Sequence, residues 1–439
     1  MTLEAPKKSI YTGSSGKQKS PRLVKTAVLL VCFILILTVC GLIIENTFIG
    51  LFIAIIQLMV IFAYAKLSLF SVFPALLTFC LFQEYAAVNG WKVYGLLGAG
   101  YVPIYFGELK TCTYVLNLII LYLILFTNCL NNEQELLKTS FRISPEASLI
   151  FLTLALTVTL LIFPSFPNLA TFSSGNRFNK GIIPFTGWSI IPFFLLSAAI
   201  GNTKHRKLTT GVIAFVIMWY AFHGERVEAL GFVVLFAVRY YCNSRNKKGS
   251  MLKLGVIALI VIPVFVIIGS LRSGIKTHGL TDLIHSVVIQ STACDVTYVF
   301  NCAVDLFYRG FQLDGFTYQS YLVNCIPLLK DSYSFSEIIA KYYPTAGGGL
   351  FFAEPIANLG FLFMFIFMIG YFIIIVFIVS HKSKYTYLIY CALMISIFRS
   401  AWYGLNYPIV AIIYFVPFVL IISRLFQTSK KRYIAFNMT

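Results

Sequence analysis

Two short passages hold most of the side chains able to do chemistry in a chain that has few of them. The first is His223-Gly224-Glu225-Arg226-Val227-Glu228, an acid-base-acid cluster at the start of an apolar run. If that run is a helix, its first turn offers unpaired N–H groups and a positive dipole end, which favour phosphate. Arg226 adds a guanidinium suited to bidentate phosphate binding. Glu225 and Glu228, three apart, share a face while Arg226 points elsewhere. Charges inside one turn of an apolar helix are costly, although an Arg snorkelling to water and a Glu satisfied by a neighbouring helix fit the same residues.

The second passage is Gly347-Gly348-Gly349, followed by Leu350 to Gly360 with Glu354 and Asn358 four apart. Glycines ahead of a helix allow close backbone approach to an anion, and they equally make a flexible joint. Glu354 is placed to accept a proton or to bind sugar hydroxyls. Among the arginines outside the basic loops are Arg272, Arg309 and Arg399. Each has a reason to be there, either as an anion ligand or as a partner of loop acids such as Asp282, Asp295, Asp305 and Asp314. Trp402, Tyr403 and Tyr407 are an aromatic belt or a platform for sugar rings. Of the histidines, His223, His278 and His285 fall on the same side as these groups, and lone external histidines are usually surface residues. No H-E-x-x-H spacing and no P-loop or strand-linked dinucleotide motif occurs.

The elements that must position these groups are membrane helices. Of the 439 residues, 59% are hydrophobic and only 11% are charged, and mean hydropathy is +0.85. Soluble domains carry about 25% charged residues, so the chain is read as an all-α integral membrane protein. Apolar windows long enough to cross about 30 Å of hydrocarbon fall at 24–44, 47–65, 67–88, 113–130, 147–166, 182–200, 208–222, 225–242, 252–271, 350–379, 385–401 and 404–424. That predicts about twelve spans, with the aromatic, glycine-rich stretch 91–110 as an interfacial loop. The first span is expected to be a retained anchor, since a long polar segment precedes it.

The net charge of +18 does not indicate nucleic acid, because it is distributed as a topology signal. Lys7 to Lys25, Lys204 to Lys207, Arg239 to Lys253, Lys382 with Lys384, and Lys430 to Arg432 alternate with the spans as cytoplasmic loops do. Both termini are therefore expected in the cytoplasm. The organisation expected is a disordered basic tail (1–22), spans one to nine (23–271), one extracytoplasmic loop (272–349) between spans nine and ten, and spans ten to twelve with a cytoplasmic tail (350–439). Inside the loop, apolar steps of three and four over Thr281–Phe307 predict an amphipathic helix lying on the leaflet or roofing the bundle. Shorter helical pieces follow at Tyr318–Leu328 and Ser334–Lys341. Ten scattered cysteines include Cys294 and Cys302, eight apart and too distant along one helix to bridge directly.

The layout, with Gly224-Glu225-Arg226 at an outer helix end and Thr345 to Phe361 closing the large loop, resembles the bacterial polysaccharide repeat-unit polymerases. These are the Wzy-type enzymes that make O-antigen, capsule or exopolysaccharide. The resemblance implies a GT-C-like membrane glycosyltransferase in the bacterial cytoplasmic membrane. It implies undecaprenyl-diphosphate-linked oligosaccharide as donor and acceptor, en bloc transfer of the growing glycan, and a possible chain-length regulator and flippase as partners beside the membrane lipids. Arg226, Arg272, Arg399 and Gly347 to Gly349 would hold the diphosphate. Glu354, with His278 and Glu228 behind it, would act as base, and Asn358, Trp402 and Tyr403 would meet sugar. Because activation is stored in the diphosphate, no cofactor, nucleotide or metal is required. A glycan ligase of the same fold and a lipid-linked oligosaccharide flippase are the competing readings.

Overall fold

A computed structural model describes residues 21–138, 141, 143–165, 187–200, 204–272, 280–323, 326, 334–345 and 347–436. Described residues form helices and turns, with no strand among them. In chain order these are α1 (Pro21–Ile43), α2 (Thr47–Ala65), α3 (Leu69–Val88), a 3₁₀ turn (Gly95–Ala99), α4 (Phe106–Phe126), α5 (Cys129–Lys138), α6 (Pro145–Ile162), α7 (Ile191–Ala199), α8 (Arg206–Phe222) and α9 (Val227–Asn243). After them come α10 (Lys247–Arg272), α11 (Leu280–Val288), α12 (Ser291–Tyr308), α13 (Gln319–Val323), α14 (Phe335–Ile339), α15 (Ala353–Ser380), α16 (Lys384–Ile395), α17 (Ile397–Trp402), α18 (Asn406–Val410) and α19 (Val416–Phe436), with one π-turn between the last two.

Seven described helices are long and apolar enough to cross a membrane: Thr26–Ile43, Thr47–Ala65, Leu69–Val88, Phe106–Phe126, Pro145–Ile162, Ala353–Ser380 and Asn406–Phe426. The chain is thus a helical multi-pass membrane protein. The expected spans at 208–222 and 225–242 appear as α8 and α9, each of 17 residues. The one at 385–401 is broken at Ser396 into α16 and α17. The span expected at 113–130 begins earlier, at Phe106, so part of the anticipated interfacial loop is helix.

Local signals explain several helix starts. Asn46 caps α2, its Oδ1 accepting from Ile49 N at 3.1 Å. Ser144 caps α6, with Pro145 in the first turn, and Ser383 opens α16 with a capping box. The start of α3 is satisfied from a distance: Leu69 N donates to Glu133 Oε1 at 2.9 Å. Glu133 also accepts from Tyr390 OH, Asn132 bonds Ser380 at 3.2 Å, and Lys382 pairs with Glu135. These contacts gather one end of the bundle. The opposite end gathers the start of α4, α11 to α14, the start of α15 and the region of α17.

The expected amphipathic helix of the loop is corrected. It is two helices, broken at Ile289–Gln290, where Gln83 Oε1 accepts from Gln290 N at 3.0 Å. The second, α12, does not lie on a surface. Residues Val296 to Leu306 are all buried, packed against α3, α15 and the 3₁₀ turn. Three of its buried polar side chains have partners: Thr297 Oγ1 donates to Ala293 O at 2.7 Å, Asn301 Oδ1 accepts from Tyr105 N at 3.1 Å, and Asp305 accepts from Tyr105 OH at 3.0 Å and pairs with Arg309. This lets the helix be covered on every side. Cys294 and Cys302 are free and buried, as are most of the described cysteines. The short helix expected near Ser334–Lys341 appears as α14, capped by Ser334. The N-terminal tail to residue 20 lies outside the described residues.

Candidate functional site

Two glycines set the backbone that carries the site. In α15, Gly360 has φ 80° and ψ −174°, which breaks the helix after one short half from Ala353 to Leu359. A Cβ there would lie 2.7 Å from the Phe307 ring. The break releases carbonyls of the first half, and the turn after α12 takes them: Leu313 N donates to Ala357 O at 3.0 Å, and Asp314 N to Asn358 O at 3.1 Å. That docking brings Thr317 and Tyr321 onto Glu354. Elsewhere, a Cβ on Gly231 of α9 would collide with the carbonyl of Ile395. Only glycine allows this backbone approach, and one turn away on each helix it sets Glu228 against Arg399.

Arg399 is buried, at 4% exposure. Its Nε donates to Glu228 Oε1 at 2.6 Å and its Nη2 to Glu225 Oε2 at 2.7 Å. The rings of Tyr403 and Tyr407 lie 4.5 and 5.1 Å from the guanidinium carbon, within cation–π range. Glu228 is wholly buried, and its Oε2 has no partner among the described residues. Arg399 is therefore corrected from a diphosphate ligand to an ion-pair hub. Its fork is held by two carboxylates, and removing one partner of a buried pair costs about 3–5 kcal/mol. Glu228, expected as a possible base, is half of that lock.

The glycine run is corrected in the same way. Gly347 and Gly348 have φ of 86° and 85°, but two of the run's three N–H groups are already taken. Gly347 N donates to Thr345 Oγ1 at 3.0 Å, Gly349 N to Trp402 O at 3.0 Å, and Phe351 N to Ala401 O at 2.8 Å. A Cβ on Gly348 would lie 2.8 Å from the Tyr403 ring. The glycines thus dock the start of α15 on the end of α17. Trp402 is buried and Tyr403 is held between Arg399 and Gly348, so neither offers an open platform.

Glu354 stands in a different setting, among neutral donors. Its Oε1 accepts from Thr317 Oγ1 at 2.7 Å and its Oε2 from Tyr321 OH. Asn358 Nδ2 donates to Thr317 Oγ1 at 2.7 Å and to Glu354 O at 2.8 Å. Gly404, at φ 112°, is the third special glycine. A Cβ built there would stand 3.7 Å from Glu354 Oε2, 3.8 Å from Asn406 Oδ1 and 3.9 Å from Tyr321 OH. The missing side chain leaves a small polar niche on which a carboxylate, a phenol and an amide oxygen converge. Buried atoms around it lack partners among the described residues: Asn358 Oδ1, Asn406 Oδ1 and Tyr318 OH. Such atoms are ready acceptors and donors for a hydroxylated ligand.

Other sequence candidates are placed as follows. Arg226 is the N-cap residue of α9 and is half-buried. Arg272 ends α10, but its side chain, like all of His278, lies outside the described residues. Arg309 pairs with Asp305 at 2.8 Å, as loop-acid pairing anticipates. Thr317, Tyr321, Asn406 and Gly404 were not singled out from sequence. Hydroxyls, amides and single glycines of loops carry no spacing signal of their own. Comparison with protein-family models, curated proteins and solved structures found no match for this chain.

Proposed function

We propose that the protein is a membrane glycosyltransferase that polymerises lipid-diphosphate-linked oligosaccharide repeat units, transferring the growing glycan en bloc onto a new unit. In this reading the niche end of the bundle faces away from the cytoplasm, the termini are cytoplasmic, and the membrane is a bacterial cytoplasmic one. One observation carries it. Segments far apart in the chain, 317–321, 354–358 and 404–406, meet at one end of the bundle and surround Glu354 with hydroxyl and amide groups, at the same end where 225–228 is held by Arg399. That is the chemistry an acceptor sugar hydroxyl requires: a carboxylate within hydrogen-bond reach to take its proton, and acceptors and donors to orient it.

The leaving group is a lipid diphosphate, which needs charge stabilisation more than protonation. Arg226 at the start of α9 and Arg272 at the end of α10 are assigned to it. Arg399 acts by holding Glu225 and Glu228, and so the start of α9, in place. Glycan from a deletion strain complemented with Glu354→Gln or Arg226→Ala is expected as single repeat units, with normal amounts of protein in the membrane. Long-chain glycan in both strains contradicts the assignment. A ligase of the same architecture is separated by the deletion itself, which would then accumulate long polymer on its carrier.

A flippase reading is favoured by one observation: Glu84 in α3 is fully buried, and neither carboxylate oxygen has a hydrogen-bond partner among the described residues. Buried ionisable groups in spans mark transport pathways. Glycosidic bond formation by the purified protein excludes it.

A further inference from the structure

A second site lies on the flank of the bundle, away from the glutamate niche. Where α1, α2, α3, α4 and α15 part, a cavity of about 650 Å³ is lined by the apolar Leu42, Val88, Phe361 and Phe365 and by the charged Glu45, Glu108 and Lys110. All five helices are long and apolar enough to cross a membrane, and Leu42, Thr47, Val88 and Glu108 of the lining stand at ends of α1 to α4. The lining thus carries both hydrocarbon and charge.

The charges are asymmetric. Lys110 is buried and donates to Gly41 O at 2.8 Å and Ile44 O at 3.4 Å, which fixes it against the C-terminus of α1. Two of its three ammonium protons are thereby placed. Glu108 Oε1 accepts from Tyr308 OH at 2.8 Å; among the described residues no protein donor meets Glu108 Oε2 or the Glu45 carboxylate. Two carboxylates against one ammonium leave the lining with one uncompensated negative charge. Thr47 adds a hydroxyl whose oxygen already accepts from Asn89 Nδ2 at 3.3 Å, so its proton is free to donate.

We propose that this cavity binds an aminophospholipid of the phosphatidylethanolamine type. Its primary ammonium donates to Glu45 and Glu108. Its phosphate takes the remaining Lys110 proton and the Thr47 hydroxyl, and an acyl chain runs along Leu42, Phe361 and Phe365. A choline headgroup keeps the charge but has no N–H to donate, and a glycerol headgroup has no cation. A lipid diphosphate, with several negative charges, is repelled by the same lining. The site is therefore distinct from any diphosphate site and does not rest on the polymerase reading.

Native mass spectrometry of the delipidated full chain, offered phosphatidylethanolamine, phosphatidylcholine and phosphatidylglycerol at equal concentration, tests it. Phosphatidylethanolamine is expected to be retained about tenfold more tightly than either of the others. The preference should vanish in the double variant Glu45→Gln/Glu108→Gln, in which the new amide oxygen still accepts from Tyr308. A Cβ added at Gly107, on the cavity wall in the first turn of α4, meets nothing within 4 Å. Gly107→Phe should therefore fill the cavity and abolish retention of all three lipids while thermal unfolding stays unchanged. Equal retention of the three lipids by the wild type overturns the proposal. So does stronger retention of phosphatidylglycerol, or a phosphatidylethanolamine preference that survives either variant.

Discussion

Glu228 and Glu354 sit at the same end of the bundle, both buried, and are satisfied in opposite ways. Glu228, with Glu225, meets a full positive charge on Arg399, which is itself enclosed by two tyrosine rings. Glu354 accepts from the neutral hydroxyls of Thr317 and Tyr321, and atoms around it keep unused hydrogen-bonding capacity. A buried ion pair of the first kind is a poor ligand, because opening it exposes an uncompensated charge. A carboxylate of the second kind can exchange a protein donor for a ligand hydroxyl at the cost of one ordinary hydrogen bond. The contrast assigns positioning to the arginine cluster and chemistry to the glutamate niche, although from sequence both looked like reagents.

The contrast can be broken most forcefully at Arg399. Arg399→Ala removes the cation that bridges Glu225 and Glu228 and should destabilise the protein by about 3–5 kcal/mol. Adding Glu225→Gln and Glu228→Gln should restore much of the loss. Thermal unfolding in detergent reads both variants, and a single Arg399→Ala that melts like the wild type would show that the cluster is not a structural lock. A smaller effect is expected from Gly231→Ala, which leaves every charge in place but drives a methyl into the Ile395 carbonyl. Overpacking of this kind costs about 1–3 kcal/mol, and glycan length should fall with protein level rather than independently of it. Smaller again is Thr317→Val, which removes one donor to Glu354 and the acceptor for Asn358. A cost of about 1 kcal/mol is expected, with activity falling more than the melting temperature indicates.

The opposite end of the bundle supplies a control carboxylate. Glu133 in α5, outside the spanning helices, is pushed up from 4.5 to about 7, chiefly by burial and despite the hydrogen bonds from Tyr390 and Leu69 N. Its folded form holds a proton more tightly than the unfolded chain does. Its contribution to stability is therefore fully present below pH 4.5 and is lost as the pH rises through about 7. Glu133→Gln keeps an acceptor for Leu69 and Tyr390 and should flatten the fall in melting temperature across that window. An unchanged pH profile would contradict the assignment.

The helices that sequence made legible are the long apolar ones, α1 to α4, α6, α15 and the C-terminal helix, because about eighteen apolar residues in a row have little else to do. The shorter α8 and α9 were also marked by apolar windows, whereas the break of 385–401 at Ser396 into α16 and α17 was not, because an apolar window does not register a change of direction. The periodicity of Thr281–Phe307 identified helix correctly and burial wrongly. Amphipathic spacing shows which face is apolar, whereas hydrogen bonds to Thr297, Asn301 and Asp305 let α12 be covered on the other face as well. At the site, the importance of Glu354, Asn358 and Arg399 was legible from polar residues stranded in apolar runs. The roles were not, because the carboxylates on Arg399 lie far away in the chain, at separations of 171 and 174 positions. Gly360 was readable as part of an Asn-x-Gly stretch. Its use, breaking α15 so that Thr317 and Tyr321 can reach Glu354, depends on a loop that has no pattern of its own.

The central claim is that Glu354 takes the proton of an acceptor hydroxyl. It is tested most directly by purified wild type and Glu354→Gln given the same lipid-diphosphate-linked repeat units in detergent. General-base loss predicts polymer formation slower by about 10²- to 10⁴-fold, with an unchanged melting temperature, while Arg399→Ala loses activity only together with fold. Polymer formed at the wild-type rate by a folded Glu354→Gln protein would contradict the account.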